Sequence, residues 1–324
     1  MQINILVIYK FSMPHVYKMG ESTEIKVVSV AVVPSMLLLL LPMVSLGSPA
    51  VLVTGGSRGG GEGFTSFSST ELLFSDCPVA SLPRHSYEHA TFTTEDGLVL
   101  SCAGQLGRTC YQLSRDLATW SLHSSLPAGL YISSRAQGAA VASGAVMVIR
   151  EAGAFLPTGA TEWETIDMPG DARQACLVPG SPTSVLLIGG YMGSRVHEFS
   201  TSTGKWSTWE EGLPESREGP ACTRTGDQVF ITGGYNRDEN KWDGATLILD
   251  LNTRRFREGG DLTWGRWAHG IAVLDSRVVA FGGGESGDDE IEEWDEESET
   301  WSLIQETMDL GRSNFGSTVI DVNC

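Results

Sequence analysis

The chain has 324 residues, 41% of them hydrophobic and 19% charged, enough apolar side chains for a buried core in one or two domains. With 22 basic against 40 acidic residues, a formal charge of -18 and only five lysines, it lacks the broad basic surface that grips phosphates, which argues against nucleic acid as a partner.

Residues 27–46, VVSVAVVPSMLLLLLPMVSL, form the long apolar run of the sequence, with Lys10, Lys18 and Lys26 ahead of it and small residues after it. This is the pattern of a targeting segment. Ser45 and Gly47 suit the narrow pocket of a signal peptidase cutting before Ser48. An uncleaved anchor is the alternative, since about 20 apolar residues can span a bilayer. Residues 1–47 are thus expected to be a leader and 48–324 an exported, secreted domain. A true start at Met19 or Met36 would shorten the leader. Cleavage would leave 19 basic against 38 acidic residues.

The exported part opens on residues 51–63, VLVTGGSRGGGEG, in which Thr54, Gly55, Gly59 and Gly61 match the nucleotide-binding turn of a short-chain dehydrogenase. That turn must run into a helix whose N-terminal amides hold a pyrophosphate. The following residues, FTSFSSTELLF, have no 3.6-residue apolar period. The Tyr-x-x-x-Lys pair is missing too: four residues before Lys205 and Lys241 stand Thr201 and Arg237.

The glycines instead belong to a repeat. VLVTGG recurs as VLLIGG ending at Gly190, VFITGG ending at Gly234 and VVAFGG ending at Gly283, with weaker copies ending at Gly104 and Gly153. Counted from Gly56, the steps are 48, 49, 37, 44 and 49 residues, a period of propeller blades or helical arrays. After each glycine pair come a short strand, a polar turn and an aromatic, as in RVHEFSTSTGKW ending at Trp206 and EIEEWDEESETW ending at Trp301. Such spacing means an all-β fold.

These features resemble the kelch repeat, from Val51 to the C-terminus. The resemblance implies a six-bladed kelch-type β-propeller in which glycines allow close backbone approach and aromatics fill the wedges between blades. Blade 3 departs from the pattern, with Glu-Ala-Gly in place of the glycine pair, and blade 1 ends without its Trp. The chain starts on a Gly-Gly strand and ends on GRSNFGSTVIDV, which has the features of the strand that should precede it. The C-terminal strand is therefore expected to complete blade 1 and close the ring.

On this fold, the loop leading into the first strand of a blade and the loop joining its second and third strands share one rim. The first set carries Arg84, Arg135, Arg173, Arg217, Arg266 and Arg312, one per repeat, expected to be structural and to bond backbone between blades. The second carries Arg58, Arg108, Tyr191, Arg195, Tyr235, Asn236, Arg237 and Trp242, suited to gripping a protein partner.

Six cysteines in an oxidising compartment permit disulfides. Cys102 and Cys110 would face each other across a hairpin, while Cys176 and Cys222 occupy matching strand positions and read as buried thiols. His89 and His269 also match across repeats. The ten carboxylates of residues 285–299 lack the spacing of a calcium loop and read as a solvated outer edge. No nucleophile elbow, metal cluster or phosphate loop stands out, so no cofactor is expected.

The expectation is a monomeric, non-enzymatic module that binds another protein, touching a membrane only if the leader stays attached. Two alternatives remain: an intracellular kelch adaptor or scaffold related to actin or ubiquitin ligases, and an extracellular enzyme like galactose oxidase or a sugar isomerase.

Overall fold

The computed structural model describes residues 47–59, 64–130, 135–170, 172–191, 193–284 and 289–324. Residues 1–46 of the leader read over 1–47, and the start of the acidic run, 285–288, lie outside them. Among the described residues no helix is long and apolar enough to cross a membrane.

Among the described residues six small antiparallel sheets form the blades of the fold, and two short two-stranded pairs lie in the loops between strands. Blade 1 is built from Gly316–Val322, Ser48–Thr54 and Thr70–Leu73. Blade 2 has Ala90–Thr93, Val99–Cys102, Thr109–Leu113 and Trp120–Ser125; blade 3 has Gln137–Val141, Gly144–Ile149, Ala152–Pro157 and Glu164–Ile166. Blade 4 has Cys176–Ser181, Ser184–Ile188, Val196–Ser200 and Lys205–Thr208; blade 5 has Ala221–Thr225, Gln228–Thr232, Thr246–Asp250 and Arg255–Glu258. Blade 6 has Gly270–Leu274, Arg277–Phe281, Glu290–Asp295 and Thr300–Thr307. Each inner strand touches the inner strands of both neighbouring blades, and the series closes from blade 6 back to blade 1.

The second strand of each blade reads as a near-continuous apolar run because both of its faces are covered by neighbouring blades. Val146, Val185, Leu186, Val229, Phe230, Val279 and Phe281 are all fully buried. The core is accordingly divided into six hydrophobic clusters, one at each junction between blades. Aromatic side chains bridge these junctions with polar atoms as well as area: Trp301 Nε1 donates to Thr246 Oγ1 of blade 5 at 2.8 Å, and Trp163 Nε1 to Ser124 Oγ of blade 2 at 3.0 Å.

Closure follows the expected route. The C-terminal strand pairs along the whole of the first, from Ser48 opposite Val322 to Thr54 opposite Gly316. Among the described residues no helix follows the dehydrogenase-like glycines, since Ser57–Arg58 pairs with Thr65–Ser66 as strands; Gly61 of that motif lies outside them. The reason for the glycine pair is visible at blade 1. Gly55 and Gly56 sit at φ of +57° and +99°, and a Cβ on Gly55 would lie 2.4 Å from the Ser86 carbonyl oxygen. That close approach lets Gly56 N–H donate to Ser86 O of blade 2 at 2.7 Å, and the second glycine repeats the bond as Gly190 to Arg217 O, Gly234 to Arg266 O and Gly283 to Arg312 O.

Several expectations are corrected. In blade 3 the Glu-Ala-Gly stretch is no counterpart of the glycine pair: Ile149 pairs with Ala152 across a two-residue turn, and Gly153 lies inside the third strand. Cys176 and Cys222 are not thiols but a disulfide joining the inner strands of blades 4 and 5, and a further disulfide joins Cys77 to Cys324. The hairpin pair, Cys102 and Cys110, is also bonded. The acidic run is not wholly solvated either, because Glu292 is fully buried against Arg266.

Candidate functional site

The loops of the glycine-bearing rim are positioned by the blade strands, and the repeated arginines show how. Arg217, Arg266 and Arg312 each stand four residues before an inner strand and are buried. Nη1 of each donates to the carbonyl of the first glycine of its own blade: Gly233 at 3.1 Å, Gly282 at 2.8 Å and Gly55 at 2.8 Å. A carboxylate on the third strand or just before it balances the charge, with Arg217 to Asp243 at 3.5 Å, Arg266 to Glu292 at 3.0 Å and Arg312 to Glu71 at 2.9 Å. These bonds run within a blade, not between blades as the sequence suggested.

The other three arginines do not share this position. The residue four places before the inner strand is Ser86 in blade 2 and Ala172 in blade 4, so Arg84 is displaced by two residues and Arg173 by one. Arg84 is exposed. Arg135 is buried at the mouth of the central channel, where it reaches across to the carbonyl of His269 at 3.5 Å. Desolvation lowers its pKa to about 10, opposed by the charge of Glu88, whose own pKa burial raises.

His89 and His269 are buried latches between blades. His89 Nε2 shares a hydrogen bond with Thr54 Oγ1 of blade 1 at 2.8 Å, and His269 Nε2 with Thr232 Oγ1 of blade 5 at 2.9 Å. Burial holds His89 neutral, with a pKa lowered to about 3; His269 is pushed well below its usual value by burial and by the charges of Arg266 and Arg135.

On the outer part of the rim, side chains from three blades converge. Arg173 lies 4.2 Å over the Tyr191 ring in blade 4, and Arg237 of blade 5 lies 4.5 Å over the same ring. Arg237 is held by Glu218, to which its Nε donates at 2.7 Å. Tyr235 packs on Trp242 with centroids 4.8 Å apart, and Trp242 on Trp267 of blade 6 at 5.3 Å. The array is thus continuous from blade 4 to blade 6.

Not every expected rim residue joins it. Asn236 is buried: its Oδ1 accepts the N–H of Asp238 at 3.0 Å and of Glu239 at 3.2 Å, and its Nδ2 bonds Glu215, so it shapes the loop and offers nothing to a partner. Arg58 and Arg108 are exposed but belong to blades 1 and 2, where Arg108 Nε donates to Leu126 O at 3.2 Å. Arg195 lines a separate cleft with Gly189 and His197. Conversely, Arg173 and the two tryptophans of WGRW, Trp264 and Trp267, were not singled out as contact residues; Trp264 is 42% exposed and donates from Nε1 to Glu290 at 2.7 Å. Their signal was the doubled Trp around a repeated Arg in one blade alone. Among the described residues no group of His, Cys, Asp or Glu could hold a metal ion.

No protein-family model matches the chain. Among known proteins it is 29% identical over 129 residues to Kelch-like protein 23 of Homo sapiens, covering 38% of this chain and 23% of that protein. To alpha-scruin of Limulus polyphemus it is 25% identical over 137 residues, covering 37% of this chain and 15% of that protein. The matches thus span less than a quarter of those relatives. The solved structure of YjhT superposes with a TM-score of 0.64 at 14% identity, covering 74% of this chain and 89% of that one, a likeness of fold. Glycine pairs latched from blade to blade, six sheets closed in a ring and these relatives make the chain a kelch-repeat, six-bladed β-propeller.

Proposed function

We propose that this propeller is an exported, non-enzymatic module that binds another protein through the rim of blades 4 to 6. The carrying observation is the array of Arg173, Tyr191, Arg237, Tyr235, Trp242 and Trp267, contributed by three blades. Arginine, tyrosine and tryptophan are the residues that dominate binding energy at protein interfaces, because they combine large rigid area with polar edges. The mutual stacking prepays part of the ordering cost that free side chains would incur on binding. Export is supported by the pairing of all six cysteines, since such bonds persist in oxidising compartments.

The test compares capture of partner from culture medium by the wild-type domain and by Tyr191→Ala/Arg237→Ala. Loss of at least about tenfold in affinity is expected of a site with two hot-spot residues, whereas Arg108→Ala on the far arc should bind like wild type. Unchanged binding by the double variant rejects this rim. N-terminal sequencing of the protein in the medium, with labelling of free thiols, distinguishes export from an intracellular scaffold.

A further inference from the structure

Blade 1 has three strands where the other five blades have four. The missing strand follows from the path of the chain. At Phe74 the backbone turns at φ of +68°, and residues 75–82 cross to blade 2 in place of folding back. There Ala80 N–H donates to Leu117 O at 2.8 Å and Trp120 Nε1 to Ala80 O at 2.9 Å. The outer edge of Thr70–Leu73 is left without a strand partner among the described residues.

That edge has main-chain groups to offer. Gly55 N–H donates to Ser69 O, and Val53 and Val51 stand opposite Glu71 and Leu73. By the alternation of an antiparallel ladder, the N–H and C=O of Thr70 and Leu72 therefore point away from the blade. Thr70 Oγ1 is buried without a hydrogen-bond partner. A cavity of about 690 Å³ runs along this edge, with Ile291, Glu306, Thr307 and Asp309 of blade 6 as its opposite wall. Its exposed charges are Asp76, Glu306 and Asp309, and no basic residue lines it. The fourth carboxylate, Glu71, is already engaged by Arg312.

We propose that blade 1 takes an extended, basic segment of another protein as its fourth strand. Main-chain hydrogen bonds to Thr70 and Leu72 supply register, as in other cases of strand addition to an open sheet edge. The lysine or arginine side chains of the segment meet the three exposed carboxylates. This surface lies apart from the rim of blades 4 to 6 and does not depend on it.

The test uses an eight-residue peptide alternating lysine and valine, its glutamate-valine counterpart, and a lysine-valine peptide N-methylated at alternate backbone nitrogens. Binding to the folded domain is followed by fluorescence anisotropy, with hydrogen exchange at Thr70 and Leu72. The basic peptide should bind saturably and slow exchange at both amides. The acidic and N-methylated peptides should bind at least about tenfold more weakly. Leu72→Pro deletes an outward N–H at a position where an edge strand accepts proline, and Asp76→Lys/Glu306→Lys reverses the charge; each should weaken the basic peptide by a similar factor. No saturable binding of the basic peptide, or equal binding of the acidic or N-methylated one, overturns the proposal. So does unchanged binding by a folded Leu72→Pro. The N-methylated peptide decides the matter on the wild-type domain should that variant not fold.

Discussion

Arg312 Nη1 donates to the carbonyl of Gly55 at 2.8 Å, across 257 residues of sequence. The last strand of the chain is therefore held to the first by a buried side chain as well as by its ladder. The same guanidinium meets Glu71, whose pKa burial raises against the opposing pull of Arg312.

The three arginines that share this position should behave alike and unlike Arg84. Removing one partner of a buried pair leaves a charge in low dielectric, so Arg312→Ala or Arg266→Ala should cost about 3–5 kcal/mol. Arg84→Ala, on an exposed side chain, should stay within about 0.5 kcal/mol. Urea unfolding of the three variants checks this; equal losses would show that the register is misassigned.

The disulfides should differ in worth with the length of chain they close. Cys77 and Cys324 are 247 residues apart and Cys102 and Cys110 only 8. On the chain-entropy account the long closure stabilises by on the order of 5–6 kcal/mol and the short one by about 2–3. Paired serine substitutions, compared by denaturant midpoint and slope, should lose stability in that order.

Acid should weaken the fold through its buried histidines. The folded pKa of His89, about 3, lies below its ordinary 6.5, so its native state binds fewer protons. This stabilisation is fully present above pH 6.5 and is lost as pH falls toward 3, with a slope of about 1.4 kcal/mol per pH unit per histidine. His269 is lowered in the same sense. The unfolding free energy measured from pH 7 to 4 should lose about one proton of slope in His89→Gln.

Arg135 presents the opposite case. It is buried, its Nη1 has no hydrogen-bond partner, and its pKa is lowered to about 10. A buried ion held so poorly is replaced by an apolar side chain at little cost or with a gain. Arg135→Met/Glu88→Gln should therefore match or exceed wild-type stability, by up to about 4 kcal/mol. A marked loss in thermal or urea unfolding would instead make this pair a strut of the channel.

Much of the rim was legible locally. Tyr191, Tyr235, Arg237 and Trp242 stand in loops that differ between repeats, and three of them meet through the Tyr235 ring. Arg84, Arg135 and Arg173 were misplaced because an Arg near the start of a strand looks alike at offsets of one to six residues. Only the carbonyl it reaches distinguishes them. Asn236 was misread for a similar reason: a loop amide that satisfies its own loop looks, in sequence, like one free to bind.

The sequence by itself determined the number of blades, the all-β class and the joining of tail to head. Those depend on glycine pairs and apolar runs recurring within about 50 residues, and local periodicity records them. The tertiary structure alone decided that Cys176 joins Cys222, that Cys77 joins Cys324 and that blade 1 stays one strand short. Each turns on which distant segments come to lie side by side, and the closing of a ring sets that proximity without leaving any pattern along the chain.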